Sequence, residues 1–360
     1  MRPSGRHNER MRDVAVTTHV VHFSSSADMR EVPSATVDLV VTSPPYPMIE
    51  MWDPLFSRLN PLIGDALAER DVDKAFDMMH EELDRSWAEV RRVLKDGGMA
   101  CVVIGDALRT VEGSFQLFSN HSRVMKSFRD LGFAALPSII WRKETNKPNK
   151  YMGSGTLPAG AYVTLEHEFI LTFRKGQRRT FEGEGKEIRR RSAFFWEERN
   201  RWFSDVWEDL KGIHQNLGRH EPRERSAAFP FELAYRLINM FSVMGDIVLD
   251  PFLGTGTTTA AAICSCRSSI GYELEDDFAR LIHERIREAV LRSKEVVNGR
   301  LFMHRKFIQE RASSGKEVRY RSKRYGFPVV TEQETDILLP VAEDYEKVED
   351  GTFRVRYSLP

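Results

Sequence analysis

The chain has 360 residues, 41% of them hydrophobic, enough for one large core or one core with a smaller appended domain. Its 53 basic and 53 acidic side chains cancel, so bulk charge does not mark it for nucleic acid, and any such surface must come from uneven distribution. Three cysteines (Cys101, Cys264, Cys266) make neither a disulfide framework nor a zinc set, and no apolar run approaches a membrane span, which fits a reducing cytoplasm.

Residues 1–16 are mixed and charged, lack the apolar core of a secretion signal, and read as a disordered N-terminus. Thr17 to Phe23 reads as a strand, followed by Ser24-Ser25-Ser26-Ala27-Asp28. The β-branched run from Thr36 to Val41 reads as a buried parallel strand, and it delivers Thr42-Ser43-Pro44-Pro45-Tyr46 to the strand's C-terminal end, where open α/β sheets hold ligands. Pro44 and Pro45 fix the backbone and carry no N–H, leaving rigid carbonyl acceptors beside the Ser43 hydroxyl and a flat Tyr46 ring. Such a set suits an exocyclic NH2 group on a base; the alternative is an ordinary proline-rich turn with a packing tyrosine.

Residues 72–95 show helical apolar spacing (Phe76, Met79, Leu83, Trp87, Val90, Leu94), and the helix is expected to stop at Lys95-Asp96-Gly97-Gly98. Met99 to Ile104 is a buried strand ending in Gly105-Asp106, with Asp106 either a solvated loop carboxylate or a site residue. A helix over about 119–130 and a strand over 133–141 continue the alternation of a doubly wound sheet. Residues 142–161, including Met152-Gly153-Ser154-Gly155, form a long loop of the kind that is usually functional. A strand is expected over 163–173; its alternation puts Glu166 and Glu168 on one face and His167 on the other, so the three do not converge on a metal ion.

From Arg174 to Arg225 the character changes: Arg189, Arg190, Arg191, Arg199, Arg201, Arg223 and Arg225 are interleaved with Phe194, Phe195, Trp196, Trp202, Phe203 and Trp207. Arginine in excess over lysine, among aromatics, is the footprint of phosphate contact and base-edge readout. A solvated helical face over buried aromatics is the blander reading. A helix from Pro230 to Phe241 comes next, then a short strand, Ile247 to Asp250, and the turn Pro251-Phe252-Leu253-Gly254-Thr255-Gly256-Thr257 into an alanine-rich helix. Gly254 and Gly256 let the backbone approach a ligand closely, and Glu273 stands at the end of the following strand, where a ribose-binding carboxylate belongs. A third glycine of the dinucleotide fingerprint is missing, which argues against an NAD-type oxidoreductase. An amphipathic helix is expected over 276–293.

The pair TSPPY and DPFLGTGTT, in that order, resembles the amino-methylating DNA methyltransferases of the permuted β class, over roughly residues 17–292. The resemblance implies an α/β class I S-adenosylmethionine (SAM)-dependent methyltransferase fold, Rossmann-like, with a seven-stranded sheet in circularly permuted order. It implies a catalytic half over 17–175, a target-recognition region over 176–226 and a SAM-binding half over 227–293, leaving 294–360 as a C-terminal extension of unknown role. That extension is basic over 306–324 and acidic over 332–350, so a DNA-flanking arm and a solvated tail both remain open. Ser43, Pro44, Pro45 and Tyr46 become the catalytic set, with Tyr46 stacking on a flipped base. Asp250, Pro251, Phe252, Gly254, Gly256, Thr257 and Glu273 become the SAM set. In the family a Gly-Asp after the first strand also holds SAM; here Asp28 from a shifted position, or the serines before it, would take that role.

The expected substrate is duplex DNA, contacted by the arginines named above and by the 142–161 loop. Serine at the first motif position accompanies cytosine-N4 methylation in this family more often than adenine-N6, and the departing proton is expected to go to water. A cognate restriction endonuclease and a homodimer are expectations of the resemblance alone, and no metal is expected. No cysteine follows a proline, which disfavours cytosine-C5 chemistry, and RNA or protein-glutamine methyltransferases place the SAM motif first. A non-catalytic DNA-binding module is the remaining competitor.

Overall fold

The computed structural model describes residues 15–143, 154–211 and 229–359. In chain order it contains β1 (Ala15–His22), β2 (Val37–Thr42), α1 (Asp53–Leu59), α2 (Pro61–Ala68), α3 (Val72–Val93), β3 (Leu94–Ile104), β4 (Ala107–Val111), β5 (Ser114–Phe118), α4 (Asn120–Asp130), β6 (Phe133–Arg142) and β7 (His167–Lys175). Then come α5 (Glu184–Arg191), α6 (Trp196–Trp202), β8 (Val206–Trp207), α7 (Phe231–Phe241), β9 (Ile247–Asp250), α8 (Thr257–Cys264), β10 (Ser268–Tyr272) and α9 (Ala279–Ser313). Two hairpins, β11 (Tyr320–Arg321) with β12 (Pro328–Val329) and β13 (Val341–Glu349) with β14 (Thr352–Ser358), complete the described chain.

The main sheet runs β13-β14-β1-β10-β9-β2-β3-β7-β6-β8. The five strands from β1 to β3 are mutually parallel, and β7 is antiparallel to both neighbours. The expected seven strands are its centre, and three more extend its edges to ten. Helices α7, α8 and α9 pack one face through Leu233, Leu237, Ala261 and Ile286, while α3 and α4 pack the other through Leu83, Trp87, Val124 and Phe128. Helix α3 begins where the Asp71 carboxylate accepts the Lys74 N–H at 3.3 Å, a side-chain cap on an orphan donor.

Three expectations are corrected. Helix α3 stops at Val93, close to where it was expected to, but the next strand begins at Leu94 rather than Met99: Lys95 to Gly98 belong to β3, where Val37 pairs with Leu94 and Leu39 with Met99, so the extra backbone bulges around Gly97 at φ +82°. Strand β7 begins at His167 rather than Val163. The C-terminal segment is neither arm nor tail. Helix α9 continues twenty residues beyond Ser293, and β14 pairs antiparallel with β1 from Ala15↔Tyr357 to Val20↔Thr352, burying Phe353, Val355 and Tyr357. Gly351 turns the final hairpin at φ +73°, and a Cβ there would lie 2.4 Å from the Val21 carbonyl oxygen. Gly351→Ala is therefore expected to cost more than about 1 kcal/mol of stability, read as a lower urea midpoint; an unchanged midpoint would mean that the hairpin is not held against β1.

The segment around Phe195 rests on this same C-terminal segment. Phe195 is buried with Val297, Val329, Ile337 and Leu339, and it stacks on His304 at 4.0 Å. Glu198 pairs with Arg300 through both oxygens. Trp202 and Trp207 are core residues as well, which leaves Trp196, 39% exposed, as the tryptophan of this interval facing solvent.

Candidate active site

The C-terminal ends of β1, β2, β9 and β10 meet at an open cleft enclosing about 1200 Å³, solvent included. Its walls come from Ser24 to Ala27 after β1, Ser43 to Pro45 after β2, Asp250 to Thr255 and Thr257 after β9, and Tyr272 to Glu275 after β10. Phe229 closes it from the start of α7, and Leu83 and Ser86 from α3. This is where a doubly wound sheet concentrates its ligands, because parallel strands deliver successive loops to one edge.

Asp250 joins the two motifs. It is buried and accepts the Thr42 hydroxyl at 2.6 Å, the Thr258 hydroxyl at 2.6 Å and the Phe252 N–H at 3.1 Å, so one carboxylate ties β2 to the glycine-rich turn. Burial pushes its carboxyl up to about 6, against which those donors work. Gly254 at φ +54° donates its N–H to Glu273 Oε2 at 2.8 Å, and the Glu275 N–H reaches Glu273 Oε1 at 3.0 Å. Glu273 is likewise raised by burial, and its two oxygens keep lone pairs for a pair of hydroxyl donors. Gly256 at φ +85° caps α8, and Gly271 lets Leu253 pack, since a Cβ there would meet Leu253 Cδ2 at 2.5 Å. Pro251, Phe252 and Thr257 line the cleft.

Asp28 does not. Its carboxylate is exposed and held by Arg30, because the chain turns outward after Ala27, and the serines that precede it face the cleft instead.

On the loop after β2, Pro44 and Pro45 line the cleft with Ser43. The Ser43 hydroxyl donates to Tyr46 Oη at 2.9 Å, Tyr46 donates to Glu168 Oε2 at 2.9 Å, and Lys143 Nζ donates to Glu168 Oε1 at 2.7 Å. Tyr46 is 6% exposed and its ring packs toward Gly105, so what it turns to Ser43 is its hydroxyl rather than a face for stacking. Burial, reinforced by the Glu168 charge, raises the Tyr46 phenol far above its usual range and keeps it neutral. Neither Glu168 nor Lys143 was marked as a site residue by the sequence, although strand alternation had set Glu168 on one face. Asp106 pairs with His121 at 2.8 Å beside this group.

The arginines divide. Arg179 forks onto Asp246 at 2.7 and 3.0 Å, just before β9, and Ser192 Oγ accepts the Met244 N–H at 2.9 Å. Helix α5 lies between these two anchors, so Arg189, Arg190 and Arg191 sit by the N-terminal ends of the strands, at the edge opposite the cleft. Arg190 lies 3.7 Å from Asp336 there. Arg199 and Arg201 on α6 are exposed, Arg199 over the Phe203 ring and Arg201 paired with Asp209. Arg223, Arg225 and half of the 142–161 loop, residues 144–153, lie outside the described residues.

Residues 37–284 match the family described as DNA methylase, N6_N4_Mtase. The chain is 53% identical over 343 residues to the Type II methyltransferase M.MthZI of Methanothermobacter thermautotrophicus, covering 95% of each. It is 47% identical over 290 residues to the Type II methyltransferase M.MjaI of Methanocaldococcus jannaschii, covering 77% of this chain and 94% of that one. Among solved structures, a putative DNA modification methylase of Thermus thermophilus, complexed with S-adenosyl-L-methionine, superposes with a TM-score of 0.59 at 33% identity, covering 75% of this chain and 95% of that one.

Proposed function

The chain belongs to the N6/N4 DNA methylase family, a family of SAM-dependent DNA methyltransferases, and from that premise we propose that it methylates the N4 amine of cytosine in duplex DNA. The observation that carries the choice of base is Ser43 at the first position of Ser-Pro-Pro-Tyr, a neutral hydroxyl where the adenine-N6 members mostly have Asp or Asn. SAM supplies an electrophilic methyl group on sulfur. The cleft suits it: the Glu273 oxygens offer acceptors to a ribose diol, and the Gly254 turn, backed by Asp250, lies beside Ser43 and Pro44.

The exocyclic amine is a poor nucleophile because its lone pair is delocalised into the ring. Ser43 Oγ and the Pro44 carbonyl accept the two amine protons and turn the nitrogen toward a tetrahedral shape, so positioning supplies most of the rate. The proline backbone holds these acceptors without needing to reorganise. The target base must leave the duplex stack to reach them.

We propose Arg199, Arg201, Arg223 and Arg225 of 176–226 as the candidates for DNA contact, and remove Arg189 to Arg191 from that role because α5 lies by the edge opposite the cleft. The name Type II methyltransferase carried by both relatives supports a place in a restriction-modification system beside an endonuclease of the same recognition sequence. A homodimer is proposed from the resemblance alone, and so is a cytoplasmic location; no described helix is long and apolar enough to cross a membrane. The deciding experiment is incubation with SAM and unmethylated genomic DNA, digestion to nucleosides and mass spectrometry. N4-methylcytosine is expected; N6-methyladenine would overturn the inference from Ser43 and leave the family intact.

A further inference from the structure

The chain Ser43 Oγ, Tyr46 Oη, Glu168 Oε2 runs from the catalytic loop to the start of β7 with two consecutive 2.9 Å links, each donor pointing away from the cleft. We propose that this is the exit path of the proton released by methylation, with Glu168 as its terminus and Lys143 as the group that holds Glu168 in place.

The inference rests on amino-methylation and replaces the expectation that the proton goes to water. As the new N–C bond forms, the methyl–sulfur bond breaks, and the positive charge passes from sulfur to the base nitrogen, which must then lose a proton. Ser43 has committed its own hydrogen to Tyr46, so its lone pairs are left for the amine proton. When Ser43 takes that proton, its original one passes to Tyr46 and the tyrosine's passes to the Glu168 carboxylate, leaving both hydroxyls neutral. No charged serine or tyrosine need form, which matters because Tyr46 is buried and its ionisation is strongly disfavoured.

The surroundings hold the path in register. Gly105 stands where a Cβ would come within 3.1 Å of the Tyr46 ring and 3.3 Å of Glu168 Cγ, so glycine permits their approach. Asn120 donates to the carbonyls of Pro47 at 3.0 Å and Gly105 at 2.9 Å, and His80 meets its Oδ1 at 3.0 Å, fixing the catalytic loop to the end of β3. The groups facing Glu168 are Lys143, the residue after β6, and Tyr46 from the loop. One residue further, His121, paired with Asp106, stacks on Phe169 at 4.0 Å, and His167 meets that ring edge-on.

The test compares wild type with Glu168→Gln and Tyr46→Phe in single-turnover methyl transfer. Each variant is expected to lose about 100-fold in rate, the scale of a removed general base. SAM Kd and DNA KM should stay within twofold, and the double variant should be no slower than either single one, since both cut one path. The deficit should shrink as pH rises and hydroxide takes the proton directly. In SAM-free protein carrying 13Cζ-tyrosine, one NMR signal should disappear in Tyr46→Phe and move in Glu168→Gln, a readout independent of turnover. A rate within twofold of wild type in Glu168→Gln, an unmoved tyrosine signal, or losses confined to SAM or DNA affinity would each overturn the relay. Should Glu168→Gln fail to fold, Tyr46→Phe decides alone. Wild-type protein that transfers no methyl group would sink the amino-methylation reading itself, whereas active wild type with an indifferent Glu168→Gln sinks only the relay.

Discussion

Asp250→Ala is expected to abolish detectable SAM binding and to destabilise the fold by about 2–4 kcal/mol, because it strands buried donors that cannot pair elsewhere. The Thr42 and Thr258 hydroxyls and the Phe252 N–H all end on this carboxylate, and it is their joint acceptor that shapes the turn beside the cleft. A calorimetric titration with SAM and a urea denaturation curve read the two effects; SAM affinity within twofold of wild type would remove Asp250 from the cofactor set. A pH signature follows from burial. The folded-state carboxyl titrates at about 6 against 3.8 when exposed, so between about pH 4 and 6 the folded protein keeps a proton that the unfolded chain has released. Stability contributed by that proton is present at the acid end and is lost as pH rises through 6, by about 3 kcal/mol across roughly two pH units. Asp250→Asn lacks this loss, so its stability relative to wild type should improve from pH 4 to pH 7.

Ser43→Ala is expected to reduce single-turnover methyl transfer about 10²- to 10³-fold, the usual consequence of deleting one preorganised polar group at the reacting atom, with SAM affinity unchanged. The division follows from position: Ser43 faces the cleft from the catalytic loop, while the backbone and carboxylates that hold the turn come from β9 and β10. Loss of SAM binding in this variant would count against a role for Ser43 on the amine.

Much of the site was legible because it is local in sequence. Thr42 to Tyr46 and Asp250 to Thr257 are contiguous loops whose prolines and glycines announce their backbone geometry, and Glu273 follows at the distance that a βα unit dictates. Glu168 was not legible, since its partner Tyr46 is 122 positions away and only the antiparallel β3–β7 pairing brings them together. Arg189 to Arg191 misled for the complementary reason: composition reports a cluster but not which end of a sheet it occupies. Asp28 was not separable from the serines before it, because composition does not show which residue of a short loop faces the cleft and which faces solvent. In the C-terminal segment, Phe353, Val355 and Tyr357 alternate with Arg354 and Arg356, a strand signature outweighed by the acidic run before it.

The pairing of β1 with both β10 and β14 also governs the order in which the protein comes into being. The earliest described strand has its two neighbours encoded some 250 and 330 positions later, as Ser269 opposite His19 and Phe353 on its other side. On the ribosome, β2, β3, β6 and β7 can associate while β9 and β10 are still unmade, but β1 must wait until synthesis is nearly over. Such distant partners make for slow closure, and they leave an unpaired edge exposed on the nascent chain. The Ser43–Tyr46 loop is thus assembled early, while the cleft bounded by β9 and β10 is completed last, so a prematurely terminated chain carries the serine and proline acceptors without the walls that face them.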